Sequence, residues 1–189
     1  LEIDSAEPVL KFDNKDNINE ILVPKRLFAH QMIEEAMISA NICAAKFIKK
    51  HLGFGIYRIH EEPENLKIEN LKKFFSLKGL SSKSFSDALE LINGFISHVN
   101  KNEENKMLNI LILQSLKRAQ YSTKEVGHFG LQLKEYSHFT SPIRRYPDLI
   151  SHRLIKNILN KEVQSQSIEN FEETLDELSS LEKRAENSS

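Results

Sequence analysis

The feature that most constrains this chain is a set of apolar residues recurring at three- and four-residue steps: Ile33, Ala36, Met37, Ala40, Ala44, Phe47 and Ile48. That spacing returns to one face of a 3.6-residue helix and predicts a long amphipathic helix over about Leu27 to Leu52, stopped by Gly53-Phe54-Gly55. The same periodicity continues through Leu66, Ile68, Leu71, Phe74 and Phe75, predicting a helix over Pro63 to Leu77 that ends near Gly79. Further helices are predicted over about Ser86 to Val99, Glu104 to Ala119, Pro142 to Leu159 and Ile168 to Ala185. Ser81 to Ser84 reads as a linker, and polar Asn100 to Asn102 separates two of the helices.

Strand signals are fewer. Apolar stretches at Pro8-Val9-Leu10 and Ile18 to Val23 flank the turn-rich Asp13-Asn14-Lys15-Asp16-Asn17, which predicts two short strands and a loop. Ile56 to His60 alternates like a short strand. Gly127 to Phe139 also reads as strand, with Phe129, Leu131 and Leu133 facing one way and Gln132 and Lys134 the other. The expected class is α+β, predominantly helical, with a few edge strands, and no internal repeat or low-complexity tract interrupts it.

With 40% hydrophobic and 28% charged residues over 189 positions, the composition is that of a globular domain. No run approaches the roughly 18 apolar residues of a membrane span, so no membrane partner is expected. The single cysteine, Cys43, has apolar neighbours and is expected to be a small buried hydrophobe, which suits a reducing, cytoplasmic setting. The net charge of -1 lacks the basic footprint of a free-standing nucleic-acid binder, so any such contact must be local. The start, Leu1-Glu2-Ile3-Asp4, reads as the interior of a longer protein.

Two places carry candidate chemistry. On the first long helix, a turn of 100° per residue puts Glu35 far from the apolar face and Glu34 on its border, in a stripe with His30 and Asn41. Such a stripe lines a cleft or simply meets water. The second place is Tyr136-Ser137-His138-Phe139-Thr140-Ser141-Pro142-Ile143-Arg144-Arg145-Tyr146-Pro147-Asp148-Leu149. Thr140 or Ser141 before Pro142 is a helix-start pattern, and Pro147 either kinks the element or restarts it. Two arginines in a first turn oppose the helix dipole unless an anion arrives, which points to phosphate. On the wheel set by Ile143, Ile150, Leu154 and Ile158, Arg144 lies beside the apolar face and Arg145 nearly opposite. Arg144 is therefore the better candidate; the alternative is an Arg144–Asp148 pair with no ligand. The histidines show no metal-ligand spacing.

This second stretch, with Gly127-His128-Phe129-Gly130-Leu131 before it and His152-Arg153 after it, resembles the signature of the ribonuclease R / ribonuclease II family in its ribonuclease R form. Ile33-Glu34-Glu35-Ala36-Met37-Ile38, Ala40-Asn41-Ile42-Cys43-Ala44-Ala45, Tyr57-Arg58-Ile59-His60 and Leu181-Glu182-Lys183-Arg184-Ala185-Glu186 are similar to the same catalytic domain in the same order. The resemblance implies that residues 1–189 are the C-terminal part of an RNB catalytic domain. It implies a processive 3′-to-5′ exoribonuclease that hydrolyses single-stranded RNA to nucleoside 5′-monophosphates with magnesium held by clustered aspartates. Those aspartates belong to the missing half of the domain, and the flanking OB-fold domains are missing too. By the same resemblance Arg144 stands near the scissile phosphate and is the catalytic candidate, and Glu34 contacts the terminal nucleotide; Ser141, Arg145, Tyr146 and His138 of the motif are further candidate substrate contacts. No metal is expected to bind this chain, which is expected to be inactive alone and to self-associate through surface that the missing half would cover. The competing reading is a non-catalytic helical module that binds RNA or protein, with the arginine motif kept as scaffold; a helical adaptor without RNA is a second.

Overall fold

The structure is a computed structural model and describes residues 9–13, 16–22, 27–77, 79, 87–99, 108–162 and 168–188. The Ser81 to Ser84 linker and Asn100 to Asn102 lie outside them. In chain order the elements are β1 (Val9–Phe12), β2 (Ile18–Leu22), α1 (Phe28–Leu52), β3 (Tyr57–Ile59), α2 (Asn65–Leu77), α3 (Ala88–Val99), α4 (Leu108–Ser115), β4 (Gln120–Ser122), α5 (Tyr146–Leu159) and α6 (Ile168–Glu186). The strands form two antiparallel pairs, β1 with β2 and β3 with β4. The predominantly helical α+β expectation holds, and no helix among the described residues is long and apolar enough to cross a membrane.

Beside a small cluster of Ala45, Tyr57 and Ile59, two larger apolar cores divide the work. One joins α2, α3 and α4 through Ile68, Leu71, Phe75, Leu91, Ile92, Phe95, Ile96, Val99 and Ile112. Phe75 and Phe95 stack within it at 3.9 Å. The other gathers Ile48 of α1, Ile56, Tyr121 of β4, Ile150 and Leu154 of α5, and Leu175 of α6. The second core positions the motif region, because α1 and α5 pack against each other there and α6 packs on β4. Helix α1 ends as the sequence predicts: Gly53 takes a left-handed φ of 77°, and its N–H reaches the Lys49 carbonyl at 2.9 Å.

Several expectations are corrected. The helix expected from Pro142 begins instead at Tyr146, with Arg145 as its extended N-cap (φ -124°, ψ 119°). A helix starting at 142 would carry Pro147 one turn inside, where its ring clashes; starting here, the missing N–H falls in the first turn, where it has no helical partner. Pro147 thus restarts the element. The strand expected over Gly127 to Phe139 is replaced by turns held by two isolated bridges, His60 with His128 and His128 with Leu133. Gly127 (φ 92°) and Gln132 (φ 57°) adopt left-handed conformations that break the alternation. Strand β4 is not among the expected strands and follows directly on the helix predicted to end at Ala119, while α4 stops earlier, at Ser115. Cys43 is exposed, not buried.

The apolar stripe of α1 is covered only in its second half. Asn41, Ala44, Ala45 and Ile48 are buried, whereas Phe28 is 76% exposed and Met32 and Ile33 are each 59% exposed. The β1–β2 register sets Leu10 opposite Ile21 and Phe12 opposite Ile18, and all four are exposed. Exposed apolar residues concentrated in this way on α1 and on the hairpin differ from the singly scattered ones normal on a monomer. The chain on its own is expected to self-associate and to bind a hydrophobic dye. Light scattering that finds a monomer at high concentration, with no dye signal, would show that this surface is not sticky.

Candidate nucleic-acid interface

The stretch from Tyr136 to Asp148 has almost no regular structure, so its backbone groups must find partners elsewhere. They find them in three surrounding elements. The Arg58 N–H on β3 donates to the Tyr136 carbonyl at 2.8 Å. Fully buried Ser137 donates through Oγ to the Ile56 carbonyl. From α1, the buried Asn41 amide donates through Nδ2 to the Tyr136 hydroxyl at 3.0 Å and accepts the Phe139 N–H on Oδ1 at 2.9 Å. From α5, the Phe139 carbonyl lies 2.9 Å from His152 Nε2, and the two rings stack at 4.1 Å.

Past Phe139 the chain makes a tight turn. The N–H groups of Arg144 and Arg145 both donate to the Ser141 carbonyl, at 3.3 and 3.1 Å. Asp148, fully buried in the first turn of α5, reaches back to accept the Ser141 N–H on Oδ1 at 2.8 Å. The same oxygen takes Arg145 Nη2 at 2.9 Å. A carboxylate there also meets the positive end of the helix dipole. The turn thrusts its tip outward: Ile143 is fully exposed, Tyr146 is 47% exposed, and Arg144 is exposed and makes no ion pair among the described residues.

Two of the residues expected to meet substrate are therefore turned into the protein. The wheel that aimed Arg145 away from the apolar face assumed a helix from Pro142; in the structure Arg145 precedes the helix, and its side chain is only 19% exposed against Asp148. The alternative of an Arg144–Asp148 pair is replaced by this i, i+3 pair. His138 is held by the Tyr121 hydroxyl, 2.8 Å from Nδ1. Burial, reinforced by the nearby positive charge of Arg145 and Arg58, pushes its imidazole down to about 3. Burial likewise pushes the Tyr121 phenol up to about 12, so it stays protonated and can donate. Arg58 lies over the Tyr121 ring at 4.5 Å and pairs with Glu182 of α6 at 2.6 Å, closing the support from behind.

Glu34 and Glu35 are both exposed on the first half of α1. Glu34 shares its stripe with Asn41, and seven residues of helical rise put it roughly 10 Å further along from the point where Asn41 grips the motif. His30 ends up at the start of that helix, its Nδ1 accepting the Leu27 N–H at 3.3 Å. Sequence reasoning placed Asn41 in the polar stripe but missed that it is a tether, and missed Arg58, Tyr121 and Asp148 as supports. Only Asp148 carried a local signal, an acid just after a proline at a helix start. The others depend on partners far along the chain.

The RNB domain model matches residues 1–161 of this chain. The chain belongs to the RNB family. It is 38% identical over 170 residues to ribonuclease R of Vibrio parahaemolyticus, covering 86% of this chain and 20% of that protein. It is 38% identical over 180 residues to ribonuclease R of Thermotoga maritima, covering 93% of this chain and 25% of that one. The chain thus spans a fifth to a quarter of the length of these curated relatives. The structure of Mycoplasma genitalium ribonuclease R in complex with ribose-methylated single-stranded RNA superposes with a TM-score of 0.84 at 25% identity, covering 99% of this chain and 30% of that one.

The buried histidine yields a pH prediction. His138 is held neutral in the folded protein, while in the unfolded chain it protonates near its ordinary value of 6.5. Its contribution is complete above that value and is lost as pH falls from there toward about 3. Urea midpoints should drop on acidification from about pH 7.5 to about pH 5, and the drop should shrink in His138→Asn. An equal drop in both proteins would remove His138 as a source.

Proposed function

We propose that this chain is the C-terminal part of the catalytic domain of a processive, magnesium-dependent 3′-to-5′ exoribonuclease that hydrolyses single-stranded RNA to nucleoside 5′-monophosphates. The observation that carries this reading is the exposed Arg144 at the tip of a rigidly pinned turn, in a chain of the RNB family. A guanidinium so placed offers a planar fork to two phosphoryl oxygens and neutralises charge that grows on them during hydrolysis. The half-exposed Tyr146 ring beside it gives a base or ribose an apolar surface, and Glu34 on the neighbouring helix is the contact for the terminal nucleotide. Arg145 and His138 serve the site by supporting the turn and the segment before it.

Among the described residues no group of three or more His, Cys, Asp or Glu side chains converges to hold a metal ion. The residues here do not fit the aspartate-held magnesium that the reaction implies. In this reading the ions are held by another part of the whole protein, and this chain contributes the phosphate clamp and part of the RNA channel.

The test is Arg144→Lys in the whole protein, which keeps the charge and loses the fork. Single-turnover cleavage of a short oligonucleotide is expected to slow on the order of 10²-fold. The dissociation constant, measured in calcium, is expected to stay nearly constant. Unchanged cleavage, or a loss of affinity as large as the loss of rate, would contradict the role given to Arg144.

A further inference from the structure

We infer that Asp148 is a positioning residue for the reaction, acting on the phosphate through the turn that carries Arg144 and never touching RNA itself. The inference rests on the reading of Arg144 given above. Its physical basis is the closed set of bonds around Ser141. The carbonyl of Ser141 takes the N–H groups of Arg144 and Arg145, and its own N–H goes to Asp148 Oδ1. Arg145 Nη2 ends on the same oxygen. The backbone on both sides of Arg144 is thereby fastened to one carboxylate that is itself fully buried at the start of α5.

The other atoms of this clamp have no alternative hold. Asp148 Oδ2, Arg145 Nε and Thr140 Oγ1 are buried without a hydrogen-bond partner among the described residues, so Oδ1 is the side-chain atom that ties the turn to α5. A buried carboxylate is a poor choice for stability by itself, since apolar packing of equal volume does as well or better. It is a good choice for direction. Three residues before Asp148 a charge-assisted bond fixes Arg145, and seven before it a second fixes the Ser141 amide, so the tip at Ile143 and Arg144 is held between two fixed points. Two adjacent arginines thus divide the labour: Arg145 is spent on aiming, and Arg144 is aimed. An arginine misplaced by as little as an ångström loses much of its effect on a transition state.

The experiment is a double-mutant cycle in the whole protein, with Asp148→Asn and, independently, Arg145→Lys, each made in the wild-type and Arg144→Ala backgrounds. Single-turnover cleavage of a short oligonucleotide is measured at a temperature where circular dichroism shows every variant folded. Asp148→Asn keeps an acceptor for the Ser141 N–H but withdraws the charge from Arg145. Either substitution should slow cleavage about tenfold or more when Arg144 is present and by less than about twofold when it is absent, because its effect passes through that side chain. If one variant does not fold, the other carries the test from the opposite side of the clamp. Slowing by the same factor in both backgrounds would make Asp148 a general stabiliser and overturn the inference, as would cleavage at the wild-type rate. Arg144→Ala cleaving as fast as wild type is a different failure, that of the function assigned to Arg144.

Discussion

The rest of the structure hangs on one side-chain amide. Asn41 is buried in the middle of α1 and uses both ends, donating to the Tyr136 hydroxyl and accepting the Phe139 N–H. Leaving either buried group unpaired costs about 1–3 kcal/mol, so the amide fixes the loop and the loop fixes the helix. Around that joint the same few residues are tied to β3 through Arg58 and to α5 through His152. An irregular segment becomes as determined as a strand because its polar groups are satisfied by three different elements.

This arrangement lets a chain with a net charge of -1 present a cation where one is wanted. Three other basic groups near the motif are ion-paired: Arg58 with Glu182, Lys49 with Glu125 and Glu135, and Arg145 with Asp148. Arg144, at the tip of the turn, faces solvent and makes no ion pair among the described residues.

The helices were legible because periodicity is a local property: the ends of α1, α2, α3 and α6 fall within two residues of where apolar spacing puts them. What periodicity could not give was coverage. Ile33 and Met37 belong to the same stripe as Ala44 and Ile48 yet lie exposed, since a stripe says which face is apolar and not what covers it. The Gly127 to Phe139 stretch alternates like a strand but turns, because left-handed Gly127 and Gln132 interrupt it. The site was half legible. That Arg144 outranks Arg145 was reached from a helical wheel that does not exist there. The structure separates the two differently: Arg145 is captured by the buried acid three residues after it, and Arg144 is exposed.

A buried amide, rather than apolar packing, makes the motif rigid. Hydrogen exchange of the whole protein carrying Asn41→Leu, which keeps the volume and removes both bonds, tests it directly. Exchange at the Phe139 amide should accelerate on the order of a hundredfold, while amides of Ile92 and Phe95 in the separate α3 core keep their protection. Unchanged protection at Phe139 in a folded variant would mean that packing alone holds the segment, and the account would be wrong at its base.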